Sequence, residues 1–290
     1  MIIRHDLELV FLHVPKCAGK EIRDLLLIGA SADTSEELFN FAYSPILHRH
    51  VDLAHLPMAD LVHWPLYRWL ECYTVIAAVR NPYERLSSAA NEYFRQRSRE
   101  DEAIINGPGI TEPMRRHYVS QLPLAHSQRD PRFIHSLPMT WFTHQGSTPK
   151  VDRLLRCERL ADDFQQLASE LNLPAEMRAV AQATLRNRPL ASEMPPSPSR
   201  LAQVEATMAH HLYAQDFATF GYPLHDTAAP AGAASGADAD LEPMLEALCP
   251  GSLPSHAIPI LERANQVEWH WGPRSSRQEA ERLAATRSAR

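Results

Sequence analysis

The sequence predicts an α/β protein of three layers, with a central, mostly parallel sheet, helices on both faces and a P-loop-like nucleotide-binding turn. Three observations predict it. Short β-prone runs at residues 7–14, 73–79 and 151–156 are each followed by a segment with helical spacing. The first two are nearly continuous in apolar residues, as strands covered on both faces are. Long insertions separate the strand-helix repeats, which suits crossover connections between parallel strands.

The first strand reads Leu7 to Val14 and is ended by Pro15. The turn PKCAGK follows, and then EIRDLLLIG, in which Ile22, Leu25, Leu26 and Gly29 carry helical spacing. The segment from Ala32 to Trp69 contains His48, His50, His55 and His63 among scattered prolines and short apolar patches. Tyr73 to Val79 is uncharged and β-branched at its centre, a second buried strand. Asn81 then suits an N-cap and Pro82 a first helical position, with the helix running through Tyr83, Leu86, Ala90 and Tyr93 to about Arg97. Val151 to Arg156 reads as a third strand and Leu160 to Leu171 as its helix; a further helix is expected from Leu201 to about Phe217. These elements define one domain over residues 1–225. The Ala/Gly/Pro-rich stretch 226–248 reads as a flexible linker and 249–290 as a C-terminal extension without assigned chemistry.

Composition narrows the classes of function. The formal net charge is −6 with no uninterrupted basic block, which gives no signal for a nucleic-acid partner. No run approaches the roughly 18 apolar residues of a membrane span, and the opening lacks a small-residue cleavage site, so a cytoplasmic protein is expected. Four cysteines, Cys17, Cys72, Cys157 and Cys249, are too few and too dispersed for a disulfide framework, and free thiols beside apolar stretches read as buried. No metal is expected: the histidine spacing H-x-H-x-x-x-x-H lacks cysteines or a helical context.

Two clusters carry chemistry. A strand running through PKCAGK into a helix gathers backbone N–H groups and the positive helix end at one point. Lys16 adds a charge on a flexible stem, and Gly19 permits close approach of the backbone. The competing nucleoside-triphosphatase loop G-x-x-x-x-G-K-[ST] fits poorly, because Val14 and Glu21 stand where it needs glycine and a hydroxyl. In the second cluster, Arg80 leaves an uncharged strand and Ser88 lies two helical turns on. Arg80 can fork two N–H groups onto a phosphate while Ser88 adds a hydroxyl donor, so a nucleotide bearing phosphate at two places explains both. Arg85, on the same helix, is not spaced to share the Arg80 side and reads equally as solvated or structural.

The stretches FLHVPKCAGK, residues 11–20, and VRNPYERLSS, residues 79–88, resemble the paired signatures of the sulfotransferase superfamily, particularly its carbohydrate-sulfotransferase branch. The resemblance covers about residues 7–223. It implies a cosubstrate, 3'-phosphoadenosine-5'-phosphosulfate, held at its 5'-phosphosulfate by Pro15, Lys16, Cys17, Ala18, Gly19 and Lys20 and at its 3'-phosphate by Arg80 and Ser88. Asn187 and Arg188 resemble the segment that folds over the nucleotide. The acceptor it implies is a hydroxyl-bearing small molecule or glycan, and Lys16 would assist departure of the nucleotide. By distance from Arg80, the family's catalytic histidine falls on His55, with His50 as the alternative. Lys20-Glu21 departs from the pattern, since family members usually carry hydroxyl residues there. An inactive nucleotide-binding or protein-interaction module of the same fold, and a small-molecule kinase, stand as alternatives.

Overall fold

The computed structural model describes residues 1–44, 49–97, 112–186 and 200–224. The linker and extension expected over 226–290 lie outside these, as do Asn187 and Arg188.

The chain opens with β1 (Ile2–Arg4) and β2 (Leu9–Leu12), then α1 (Gly19–Leu26), β3 (Ser35–Glu37), β4 (Phe41–Ser44), β5 (Arg49–Asp52), α2 (Met58–Leu61) and α3 (Trp69–Cys72). It continues through β6 (Thr74–Val79), α4 (Pro82–Arg97), α5 (Glu112–Ser127), α6 (Thr140–Thr143), β7 (His144–Gln145), β8 (Thr148–Pro149) and β9 (Arg153–Arg156). The last described elements are α7 (Leu160–Glu170), α8 (Ala175–Leu185), α9 (Arg200–Leu212) and α10 (Ala214–Phe220).

A five-stranded sheet in the order β3-β1-β2-β6-β9 forms the centre and is flanked by helices. The three strands legible in the sequence are its parallel part: Leu9 to Leu12 of β2 pair with Thr74 to Ala77 of β6, and Ile76 to Val79 of β6 with Arg153 to Arg156 of β9. The other two strands, which the hydrophobic pattern did not yield, make the sheet mixed. β1 runs antiparallel to β2 and to β3. With only three residues apiece, β1 and β3 are too short to show a period of two.

Burial explains why the patterns read as they did. Leu9, Val10, Phe11 and Leu12 are all buried, as are Val75 to Val79, so these strands have no solvent face to mark with polar residues. In β9 only Leu155 is fully buried and Leu154 is exposed, which is why charge interrupts that strand. α1 turns Ile22, Leu25 and Leu26 inward, and α7 turns Leu160, Phe164 and Leu167 inward, each at helical spacing. The helix expected from 201 to about 217 is two, because Tyr213 leaves the helical conformation at φ −117°, ψ 20°. Buried Tyr213 anchors this break by donating its hydroxyl to the Ser136 carbonyl at 2.6 Å.

Among the cysteines, Cys17 and Cys157 are buried as expected, whereas Cys72 is exposed at the end of α3 and Cys249 lies outside the described residues. Within the described residues no helix is long and apolar enough to cross a membrane.

Candidate active site

β2 and β6 are adjacent and parallel, so the turns that leave their C-terminal ends are neighbours. Such strand ends are where open α/β sheets bind ligands. After β2, Lys16 and Ala18 both take left-handed backbone conformations, with φ 64° and 57°, and Gly19 opens α1. A turn of this kind followed by a helix start concentrates amide N–H groups and positive dipole at one place. Gly19 is required by crowding: a Cβ there would lie 1.6 Å from Nε2 of His13. His13 is therefore packed beneath the turn.

After β6, the chain is fixed before it enters α4. The buried carboxylate of Glu158 accepts a hydrogen bond from the Asn81 N–H at 2.6 Å and another from the Tyr222 hydroxyl at 3.0 Å. Asn81 in turn caps α4, its Oδ1 accepting from the Tyr83 N–H at 3.1 Å. Arg80 is thereby directed at the first turn, with its Nη1 3.5 Å from the Lys16 carbonyl. Its other nitrogens donate to Glu84, at 3.0 Å and 3.3 Å.

Lys16 meets the same helix about two turns further along. Its Nζ donates to Oε2 of Glu92 at 3.2 Å. Glu92 also accepts from Arg95 and from Gln96. Burial pushes the Glu92 carboxyl up, but the hydrogen bonds from Arg95, Gln96 and Lys16 outweigh it and hold it at about 2. Ser88 is half-buried between these two ion pairs in sequence, and Lys20 is exposed on the first turn of α1. The side chain of Cys17 is fully buried against Sδ of Met139 at 3.8 Å, which leaves this residue only its backbone to offer the turn.

Arg85 settles into a third position. Fully buried, it donates from Nε to the Pro15 carbonyl at 3.0 Å and from Nη2 to the Leu137 carbonyl at 2.7 Å. It is a strut between the turn, α4 and the segment before α6, which decides between the solvated and structural readings of the sequence.

His55 lies beside this pair of turns. Its Nδ1 is 3.2 Å from the His13 carbonyl, so Nδ1 carries the hydrogen and Nε2 is left with a lone pair. Burial lowers the His55 pKa below the usual histidine value, against the opposing influence of Asp52, and the ring is neutral at pH 7. His13 and His135 flank it, with ring centroids 4.4 Å and 5.2 Å away. His135 is likewise held well below the ordinary value, by burial first and then by His55 and Lys16. Both His55 and His135 line an open cleft.

Nothing in the sequence singles out His135, Glu92 or Gln96, since each is an isolated polar residue in a segment without a motif. Of the aromatic residues in the two insertions, Tyr118 is core, packed on Tyr93 and Phe133, and Trp69 stacks on Tyr73. Phe41 lines the cleft instead. The His50 side chain lies outside the described residues, although its backbone pairs with Tyr43 in the β4-β5 hairpin. Among the described residues no group of three or more His, Cys, Asp or Glu side chains is arranged to hold a metal.

The model of the sulfotransferase family matches residues 1–223. The chain belongs to the sulfotransferase family. Its activity is accordingly that of a sulfotransferase, and the family supplies 3'-phosphoadenosine-5'-phosphosulfate as sulfuryl donor. The match spans the sheet, both strand-end turns and the Tyr222 contact to Glu158. No curated protein and no solved structure matched the chain.

Proposed function

We propose that this sulfotransferase moves a sulfuryl group from 3'-phosphoadenosine-5'-phosphosulfate to the hydroxyl of a small acceptor lying in the cleft, with His55 as general base. The observation that carries this is the His13 carbonyl at Nδ1 of His55, because it presents a neutral imidazole with its lone pair at Nε2.

The backbone of Pro15, Lys16, Cys17, Ala18, Gly19 and Lys20 is suited to the 5'-phosphosulfate, and Arg80 with Ser88 to the 3'-phosphate. The contact between Arg80 and the Lys16 carbonyl supports assigning both turns to one nucleotide. Asn187 and Arg188 would complete the nucleotide site. The acceptor oxygen forms its bond to sulfur as the bond from sulfur to the bridging oxygen breaks. His55 takes the hydroxyl proton, and the Lys16 ammonium balances the charge that develops on the departing adenosine 3',5'-bisphosphate. For this, Lys16 must exchange Glu92 for the nucleotide, and Arg80 must exchange Glu84.

Measuring adenosine 3',5'-bisphosphate release tests the assignment. His55→Ala should abolish acceptor-dependent release while bisphosphate affinity, measured by calorimetry, stays within about twofold of wild type. If His50→Ala abolishes it and His55→Ala does not, the base is His50.

A further inference from the structure

Two thiols meet beneath the candidate nucleotide turn. Val79 pairs with Arg156 at the ends of the parallel strands β6 and β9, so Arg80 and Cys157 leave the sheet side by side. Arg80 donates its backbone N–H to Sδ of Met139 at 3.5 Å, and Sγ of Cys17 lies 3.8 Å from the same sulfur. Cys17 thus reaches from the end of β2 into the space beside Arg80, where the Cys157 thiol hydrogen bonds to its sulfur. Both side chains are enclosed, Cys17 at 0 % and Cys157 at 2 % exposure, and both are in the reduced, thiol form.

The two differ in chemistry and in anchorage. Burial pushes the Cys17 thiol up, but the hydrogen bond from Cys157 and the charges of Arg85 and Arg80 outweigh it and hold it below the usual cysteine value. That favours the thiolate, which is the nucleophile in thiol oxidation. Cys157 is held from both sides. The Arg156 N–H before it donates to Asp163 at 2.7 Å, and the Glu158 carboxylate after it accepts from the Asn81 N–H and the Tyr222 hydroxyl. Cys17 sits instead within the turn, between Lys16 and Ala18 in their left-handed conformations. Joining the two sulfurs draws them to about 2 Å, and with Cys157 fixed it is the turn that has to shift.

We propose that Cys17 and Cys157 are a reversible redox site, which hydrogen peroxide joins in a disulfide that takes the turn out of its nucleotide-binding shape. The effect on binding rests on the proposed nucleotide site, whereas the pairing of the thiols does not. Enclosure restricts the oxidant to a small one, and peroxide is hardly larger than water. The Cys17 thiolate attacks one peroxide oxygen, the O–O bond breaks and hydroxide leaves, giving a sulfenic acid. The Cys157 sulfur then bonds to the Cys17 sulfur as the S–O bond breaks, and its proton goes to the departing hydroxide. Together the thiols lose two electrons and two protons, and one peroxide becomes two waters. A dithiol reductant restores both cysteines by exchange.

In the full chain carrying Cys72→Ser and Cys249→Ser, Cys17 and Cys157 are the only cysteines left. Brief treatment of this protein with hydrogen peroxide, ended by catalase, should give digest peptides linked through Cys17 and Cys157. Its affinity for adenosine 3',5'-bisphosphate, measured by calorimetry, should fall by about tenfold or more. Dithiothreitol should reverse both changes. Cys157→Ala added to that background should bind the bisphosphate within about twofold of its parent, before and after peroxide. If that variant does not fold, Cys157→Val takes its place. Absence of the linked peptides, an equal loss of affinity in the Cys157 variant, or a disulfide that leaves affinity unchanged overturns the inference. A reduced parent that does not bind the bisphosphate contradicts the proposed nucleotide site instead, and the linked peptides then decide the thiol pairing on their own.

Discussion

The ammonium of Lys16, in the turn proposed to receive phosphate, and the carboxylate of Glu92 form an ion pair at 3.2 Å. Glu92 is well secured by Arg95 and Gln96, so this is a fixed anion with which any ligand anion competes for the lysine. Glu92→Gln keeps the shape and removes the charge. Bisphosphate affinity should rise by up to about fivefold, the scale of a partly exposed ion pair. In the bisphosphate-release turnover assay, Lys16→Met should lower kcat by about 10² to 10³, as loss of one donor to a developing oxyanion does elsewhere.

Arg80 and Ser88 should act on affinity rather than on rate. Arg80→Ala removes a charged, forked donor and should weaken bisphosphate binding by about 10- to 100-fold, whereas Ser88→Ala removes one neutral hydrogen bond and should cost about fivefold. Calorimetry with adenosine 3',5'-bisphosphate and with the 5'-monophosphate separates the sites. Both variants should lose their effect when the 3'-phosphate is absent.

Gly19→Ala tests the packing beneath the turn. The new methyl would overlap the His13 ring, which is itself enclosed by Phe11, Phe39 and His55. Overpacking of this sort typically costs about 1–3 kcal/mol. Chemical denaturation should show a loss at or above the top of that range, and the bisphosphate should bind more weakly because the turn carries the displacement.

Four histidines predict the response to acid. Burial lowers His13, His55 and His135, and it lowers His126 to about 3. Each stays neutral in the fold while its unfolded form takes a proton near pH 6.5. Their contribution to stability is therefore complete above pH 6.5 and is lost progressively as pH falls, for His126 down to about 3. Urea midpoints should decline from pH 7 to pH 5. His126→Gln should make that decline shallower, and the acid limb of kcat/KM should fall below pH 6.5, the position for an unperturbed base, because burial depresses His55.

The parallel heart of the fold was legible because its strands are buried on both faces and so read as unbroken apolar runs. The same logic hid β1 and β3, whose three residues carry no period, and the break at Tyr213, which is set by a hydrogen bond to Ser136 from far along the chain. The two strand-end clusters were legible because turn, glycine and lysine stand together in sequence, as do arginine, Asn81 and Pro82. The partners of Lys16 and Arg85 were not: Glu92 and the carbonyl of Leu137 are brought in by packing, 76 and 52 residues away. His135 likewise reaches His55 only through the fold.

His13 serves with two different parts of itself: its ring fills the space that Gly19 leaves open, and its carbonyl orients His55. The proposed donor turn and the proposed base are in consequence mounted on one bracket. Any displacement of the turn would therefore reach the imidazole through a single residue, which under the proposed mechanism ties alignment of the acceptor hydroxyl to nucleotide capture with no separate moving part.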